Sequence, residues 1–171
     1  MLSTSSFLKR PLFVLFGISF PYCLTTYLCM AYKGKYRPKK ASKYRGDVRN
    51  IVYRSLLERR FMVFCDTNES VLWWSSEEVV VPYVSPVDNR WHRYFVDFLV
   101  ELRTKSGEVE TVLVEVKPAR QCKPPKKMNL VGVDKRTKQA RRYLKEATTW
   151  GINSAKWDAA TEYASNRGWK F

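Results

Sequence analysis

A chain of 171 residues, 45% hydrophobic and rich in Trp, Tyr and Phe, has enough apolar material for one compact domain. Its formal charge of +15 favours a polyanionic partner, either nucleic acid or an acidic membrane surface. Four cysteines without a C-x-x-C pair and a single histidine leave no zinc constellation and no Ser-His-Asp hydrolase, and no G-x-x-x-x-G-K-S/T loop is present to support an ATP-driven motor.

The first 29 residues differ from the rest. Pro11 to Tyr32 carries no charge and follows Lys9 and Arg10, as in a signal peptide or membrane anchor. Pro11, Gly17 and Pro21 interrupt that stretch, and at Met30 the composition turns abruptly basic. A second reading is that translation begins at Met30 and that residues 1–29 are an upstream-start artefact. On that reading the mature protein has no membrane segment, and a single domain spans residues 30–171. A basic arm over residues 30–50 opens it, in which Lys33 to Arg49 holds eight Lys/Arg against Asp47.

Ser55 opens a helix running to about Asp66, with Leu57, Phe61 and Phe64 on its buried side. Ser55 and Glu58 have capping-box spacing, so Glu58 serves either as a cap or as an acid aimed at a functional site. Val71–Trp74 and Val79–Tyr83 read as short strands joined through Ser75 to Glu78, and Pro82 implies that the second sits near an edge or ends there.

The most informative stretch is His92 to Arg103 followed by Glu108 to Lys117. Tyr94, Val96, Phe98, Val100 and Leu102 alternate as a half-buried strand does, and Val112, Val114 and Val116 continue that face. Between them Lys105, Ser106 and Gly107 form a three-residue hairpin loop with glycine at the left-handed position. That loop pairs Thr104 with Glu108 and therefore Asp97 with Glu115; a one-residue slip would turn one strand's valines outward.

Two carboxylates facing across a ladder repel, which a sheet does not select for stability. A divalent cation resolves the conflict, since Mg²⁺ takes one or two carboxylates together with water and phosphate oxygens. Lys117 shares the face of Glu115 and can hold a nucleophilic water or transition-state charge, which is a phosphodiesterase arrangement. The plainer alternative for D…E-x-K spacing is an exposed polar face with a Glu–Lys pair.

Beyond the hairpin, Lys123 to Lys127 is a stiff basic loop containing two prolines. Asp134 is expected to cap a helix through about Trp150, with Ala140, Leu144 and Ala147 inward and Gly151 as terminator. Ser154 is expected to cap another through Asn166, closed by Gly168, and Trp169 to Phe171 reads as the start of a strand. Lys117 to Lys145 carries eleven Lys/Arg against Asp134. Phosphate contacts are assigned to Lys39, Lys40, Lys123, Lys126, Lys127, Lys135 and Arg136, with little reading of bases.

Asp97, Glu115 and Lys117 in a hairpin, with Glu58 on an upstream helix, resemble the PD-(D/E)xK nuclease superfamily. The chain is more closely similar to the head completion nucleases of T-even-like tailed phages. The shared landmarks include Met30-Ala-Tyr-Lys-Gly-Lys35, Ser42 to Asp47, Tyr53-Arg-Ser55, Trp74, Pro82-Tyr83, Arg93-Tyr-Phe95, Pro124-Pro125, Lys156-Trp157 and Arg167-Gly168. Val96 stands where the superfamily pattern has proline, and the family continues past the equivalent of Phe171, so the chain reads as truncated there. The resemblance implies an α/β restriction-endonuclease-like core, a mixed sheet with a central antiparallel hairpin flanked by helices. It implies catalysis by Asp97, Glu115, Lys117 and Glu58, with Glu77 a weaker candidate. Mg²⁺, replaceable by Mn²⁺, would be held by Asp97, Glu115 and the carbonyl of Val116. The implied partners are DNA and phage head or neck proteins, with no nucleotide cofactor. The implied setting is the host cytoplasm during virion assembly, where endonucleolytic or exonucleolytic trimming of packaged DNA lets heads join tails. A repair or recombination nuclease of the same fold, and a head plug with a vestigial site, are the alternatives.

Overall fold

The computed structural model describes residues 32–129, 134 and 136–171, so the expectations for residues 1–29 and for Lys135 lie outside the described residues. The elements in chain order are β1 (Gly34–Lys35), β2 (Val52–Tyr53), α1 (Leu56–Thr67), β3 (Val71–Ser76), β4 (Val80–Val84), β5 (Trp91–Phe95), β6 (Phe98–Arg103), β7 (Val109–Val114) and α2 (Lys138–Ser165). The central sheet has three antiparallel strands in the order β3-β6-β7, while β1–β2 and β4–β5 are two-stranded antiparallel pairs. Among the described residues, parallel pairing is confined to isolated bridges, Tyr44 with Trp74 and Val112 with Lys170. The second falls at the expected strand start, Trp169 to Phe171, but it is a single bridge at Lys170 and not a strand.

The α1 terminus follows from its sequence. Ser55 Oγ accepts from the Glu58 N–H at 3.1 Å, and the Glu58 carboxylate accepts from the Arg54 N–H at 2.7 Å and from the Ser55 hydroxyl at 2.8 Å. Met62, Cys65 and Asp66 are the buried residues of this helix, with Phe61 and Phe64 packed on the flank of the core. Leu57, expected inward, is 38% exposed. Two apolar stripes lie side by side on α1, and periodicity cannot say which one faces the sheet; the stripe through Met62 and Cys65 wins. Asp66 is buried and accepts from the Tyr36 hydroxyl and from the Lys39 and Lys40 N–H groups at 2.7–3.0 Å. It moors the basic arm to the core. Cys65 and Cys122 are free thiols.

The β6–β7 hairpin has the register that its loop dictates. Phe98 opposes Val114, Leu102 opposes Glu110, and the Thr104 N–H reaches the Glu108 carbonyl at 2.8 Å around Gly107 at φ +90°. The expected single strand from His92 to Arg103, however, is two strands. β5 stops at Phe95 and β6 starts at Phe98; between them the Val96 N–H bonds to the Val79 carbonyl, and the Asp97 carbonyl accepts from the Glu77 N–H at 3.1 Å. The apolar alternation runs through the break because there is a core on either side to bury into. Tyr94 and Val96 pack with Val81, Tyr83, Leu113, Ala160 and Ala164, whereas Phe98, Val100 and Leu102 pack with Met62, Cys65, Val71 and Trp74. β7 likewise ends at Val114, before Glu115, rather than at Lys117.

The two expected C-terminal helices are one. α2 runs unbroken from Lys138 to Ser165, capped by the Thr137 side chain accepting from the Ala140 N–H at 3.2 Å, not by Asp134. Gly151 does not terminate it and Ser154 does not cap anything. A glycine inside a helix costs only about 1 kcal/mol, and burial of Asn153, Trp157, Ala160 and Ala164 along the helix outweighs it. The left-handed glycine that does lie past the helix end is Gly168, at φ +68°. Leu144, expected inward, is 36% exposed, because only Ala140 is buried in that part of the helix. Among the described residues no helix is long and apolar enough to cross a membrane.

Candidate active site

The break between β5 and β6 and the end of β7 meet at one place, and the acids lie there. Asp97 and Glu115 each sit one position past the end of the β6–β7 ladder. The Val116 N–H donates to Asp97 Oδ2 at 2.8 Å. Glu115 is held at both oxygens: Oε1 pairs with Lys117 Nζ at 2.6 Å and Oε2 accepts from the Tyr94 hydroxyl at 2.8 Å. The structure thus brings Asp97, Glu115 and Lys117 together.

Electrostatics set their states. The Asp97 carboxyl is pushed up to about 7, first by burial and then by the neighbouring Glu115, with Lys117 and the Val116 N–H opposing. Burial disfavours the Lys117 ammonium, but Glu115 and Asp97 overcome it and raise its pKa above the ordinary lysine value, so Lys117 is a cation at neutral pH. The Tyr94 phenol is driven up by burial and by Glu115 and remains a proton donor. Two half-buried acids with one ammonium beside them leave surplus negative charge, the condition that a hard divalent cation relieves. To such an ion Asp97 and Glu115 would offer carboxylate oxygens and Val116 a carbonyl.

Glu58 does not join the pair as a third donor; among the described residues no group of three His, Cys, Asp or Glu side chains gathers to hold a metal. It lies near enough to raise both Asp97 and Lys117 while its carboxylate is occupied at the α1 cap. Glu77 is adjacent through its backbone, which sits at φ 58°, and its carboxylate is ion-paired with Arg54. Arg54 therefore brackets both secondary acids, through its N–H to Glu58 and its guanidinium to Glu77. A cavity of about 660 Å³ opens beside Glu115 and Lys117, walled by Phe61, Phe64, Val112 and Val114.

Sequence reasoning missed Tyr94, Arg54 and Lys156. Tyr94 carried a signal, since a tyrosine at an inward strand position must place its hydroxyl on a partner. Lys156 of α2 reaches over the rings of Tyr83 and Tyr94, 5.5 and 5.4 Å from their centroids. The cations assigned to phosphate contact are on the surface: Lys39, Lys40, Lys123, Lys126, Lys127 and Arg136 are all solvent-accessible. Lys126 and Lys127 border a cleft of about 400 Å³ against Arg142, Tyr143 and Glu146 of α2.

The α/β core is restriction-endonuclease-like, and two carboxylates and a lysine lie together at the mouth of one of its strand pairs. Residues 68–171 match the family described as TnsA-like endonuclease N terminal, and the chain belongs to that family. It is also similar to the head completion nuclease of Enterobacteria phage T4, at 38% identity over 142 residues, covering 83% of this chain and 89% of that protein. No solved structure matches the chain.

Proposed function

We propose that the protein is a divalent-cation-dependent deoxyribonuclease of phage morphogenesis, cutting or trimming packaged DNA so that heads are completed and joined to tails. The observation that carries this reading is the trio at the ladder end: Asp97 beside Glu115, with Glu115 tied to Lys117 at 2.6 Å and to Tyr94 at 2.8 Å. The similarity to the T4 head completion nuclease supports the biological setting, in which head or neck proteins are partners and the host cytoplasm is the site of action.

Asp97 and Glu115 lie together just past the β6–β7 ladder end, and there they would hold Mg²⁺ or Mn²⁺. Bound there, the ion would polarise the phosphoryl group and lower the pKa of a water. Tyr94 stops Glu115 from rotating, so the carboxylate keeps one orientation through the reaction. The Lys117 ammonium, held by Glu115, orients the attacking water and meets charge that develops on phosphorus. Exposed lysines of the arm and of the 123–127 loop hold the DNA by its phosphates, which predicts cleavage of low sequence specificity.

The test is incubation of purified protein with linear and covalently closed circular DNA, with and without Mg²⁺. Cleavage of both substrates in Mg²⁺ alone supports an endonuclease, and loss of linear DNA alone an exonuclease. Intact DNA under every condition would return the protein to a structural role in the head.

A further inference from the structure

The hairpin of β4 and β5 has a face that the proposed chemistry leaves unused. Its inward side is Val81, Tyr83 and Tyr94, all buried. Its outward side alternates with these: Pro82 and Val84 on β4, and Trp91, Arg93 and Phe95 on β5. Register sets Val84 opposite Trp91, Pro82 opposite Arg93 and Val80 opposite Phe95. Trp91 is 74% exposed, Phe95 45% and Val84 40%, an expensive display for a strand pair whose other face is already buried. The Arg93 guanidinium leans over the Phe95 ring at 5.4 Å from its centroid, and among the described residues no carboxylate pairs with it.

We infer that this face is a stacking platform for unpaired DNA bases beside the cutting site. Trp91 and Phe95 lie four residues apart on one face of β5, about 13 Å along the strand, with the Arg93 cation between them, a spacing that suits separate bases stacking on each ring while their phosphates stay near positive charge. No acid stands on the face, and the chain as a whole carries +15, so the charge complements a polyanion. The platform also leads straight into the site. Phe95 is two residues from Asp97, and Tyr94, on the reverse side of the same strand, holds Glu115. A base seated on Phe95 would bring its strand's phosphates towards the acid pair. The face is small for a stable protein interface, which ordinarily takes some 20–30 residues a side. This inference rests on the nuclease reading and narrows its substrate to single strands, frayed ends or branched DNA.

The experiment measures binding of the full chain in EDTA to a fluorescent single-stranded oligonucleotide and to a blunt duplex. Trp91→Ala and Phe95→Ala should each weaken single-strand binding roughly 5- to 150-fold, the range expected when one base–aromatic stack is removed, and leave duplex binding within about twofold. Trp91→Phe and Phe95→Tyr should retain most of the affinity. Photocrosslinking of an iodouracil-substituted single strand to the unaltered chain should label Trp91 or Phe95, an outcome independent of how the variants fold. Equal loss on both DNAs, unchanged single-strand affinity in a double variant of unaltered melting temperature, or crosslinks elsewhere would overturn the platform. Single-strand binding lost in the variants, in a protein that cuts nothing in Mg²⁺, would retain the platform and remove the nuclease reading. Cleavage with unaltered single-strand binding would do the reverse.

Discussion

Replacing Asp97 by asparagine should stabilise the cation-free protein while abolishing cleavage. The carboxyl stands at about 7 in the folded chain against an ordinary value of 3.8. Between those pH values the folded state holds a proton that the unfolded state has released, so stability falls as pH rises through this window. The penalty is fully present above about pH 7 and absent below about pH 4. At about 1.36 kcal/mol per pH unit its ceiling is on the order of 4 kcal/mol. Asparagine removes the charge but keeps an oxygen for the Val116 N–H, now at 2.8 Å from Oδ2, so it forfeits only the extra strength of a charged hydrogen bond. The expected net gain is therefore about 2 kcal/mol at pH 8, equivalent to several degrees in melting temperature for a domain of this size. Urea or thermal unfolding of both proteins in EDTA at pH 4, 6 and 8 measures it. The curves should converge at pH 4 and separate at pH 8. Adding Mg²⁺ should raise the parent's melting temperature and not the variant's, since only the parent retains both carboxylates. A variant that is less stable at pH 8 without metal, or a difference independent of pH, would show that Asp97 is not a charge held against repulsion.

Glu58→Gln should keep the α1 cap, with less than about 1 kcal/mol lost in denaturant titration, yet lower turnover on plasmid DNA because a negative charge beside Asp97 and Lys117 has gone. Asp66→Ala strands the Tyr36 hydroxyl and two backbone N–H groups and should cost about 3 kcal/mol in urea unfolding. The Asp66 carboxyl is buried, which alone would raise its pKa, but hydrogen bonds from Lys39, Lys40 and Tyr36 hold it below the ordinary value. Its contribution is thus present at neutral pH and lost as pH falls through the acid range, so the Asp66→Ala deficit should shrink there. Replacing Lys123, Lys126 and Lys127 together should weaken binding alike on unrelated DNA sequences. It should also lower the slope of log affinity against log salt by up to about 0.9 for each phosphate that a lysine no longer neutralises, read by fluorescence anisotropy.

Some of this was determined by local sequence alone. The loop from Lys105 to Gly107 dictates the hairpin register, because a short turn with one left-handed glycine admits a single pairing, and register in turn puts residue 97 opposite residue 115. The α1 cap is equally local, since Ser55 and Glu58 are three residues apart. Tertiary structure decided what pattern could not. An unbroken alternation from Tyr94 to Leu102 is the same string whether it lines one core or two, and only packing against α2 on one side and α1 on the other splits it at Val96. Gly151 reads as a stop in isolation; the residues that α2 buries on either side of it carry the helix through. The ties from Tyr94 to Glu115 and from Arg54 to Glu77 join residues 21 and 23 positions apart, and the phenol and guanidinium find those partners only because the ends of β5 and β7, and of β2 and β3, are brought together. Periodicity reports which side of a strand is dry; it does not report what lies across from it.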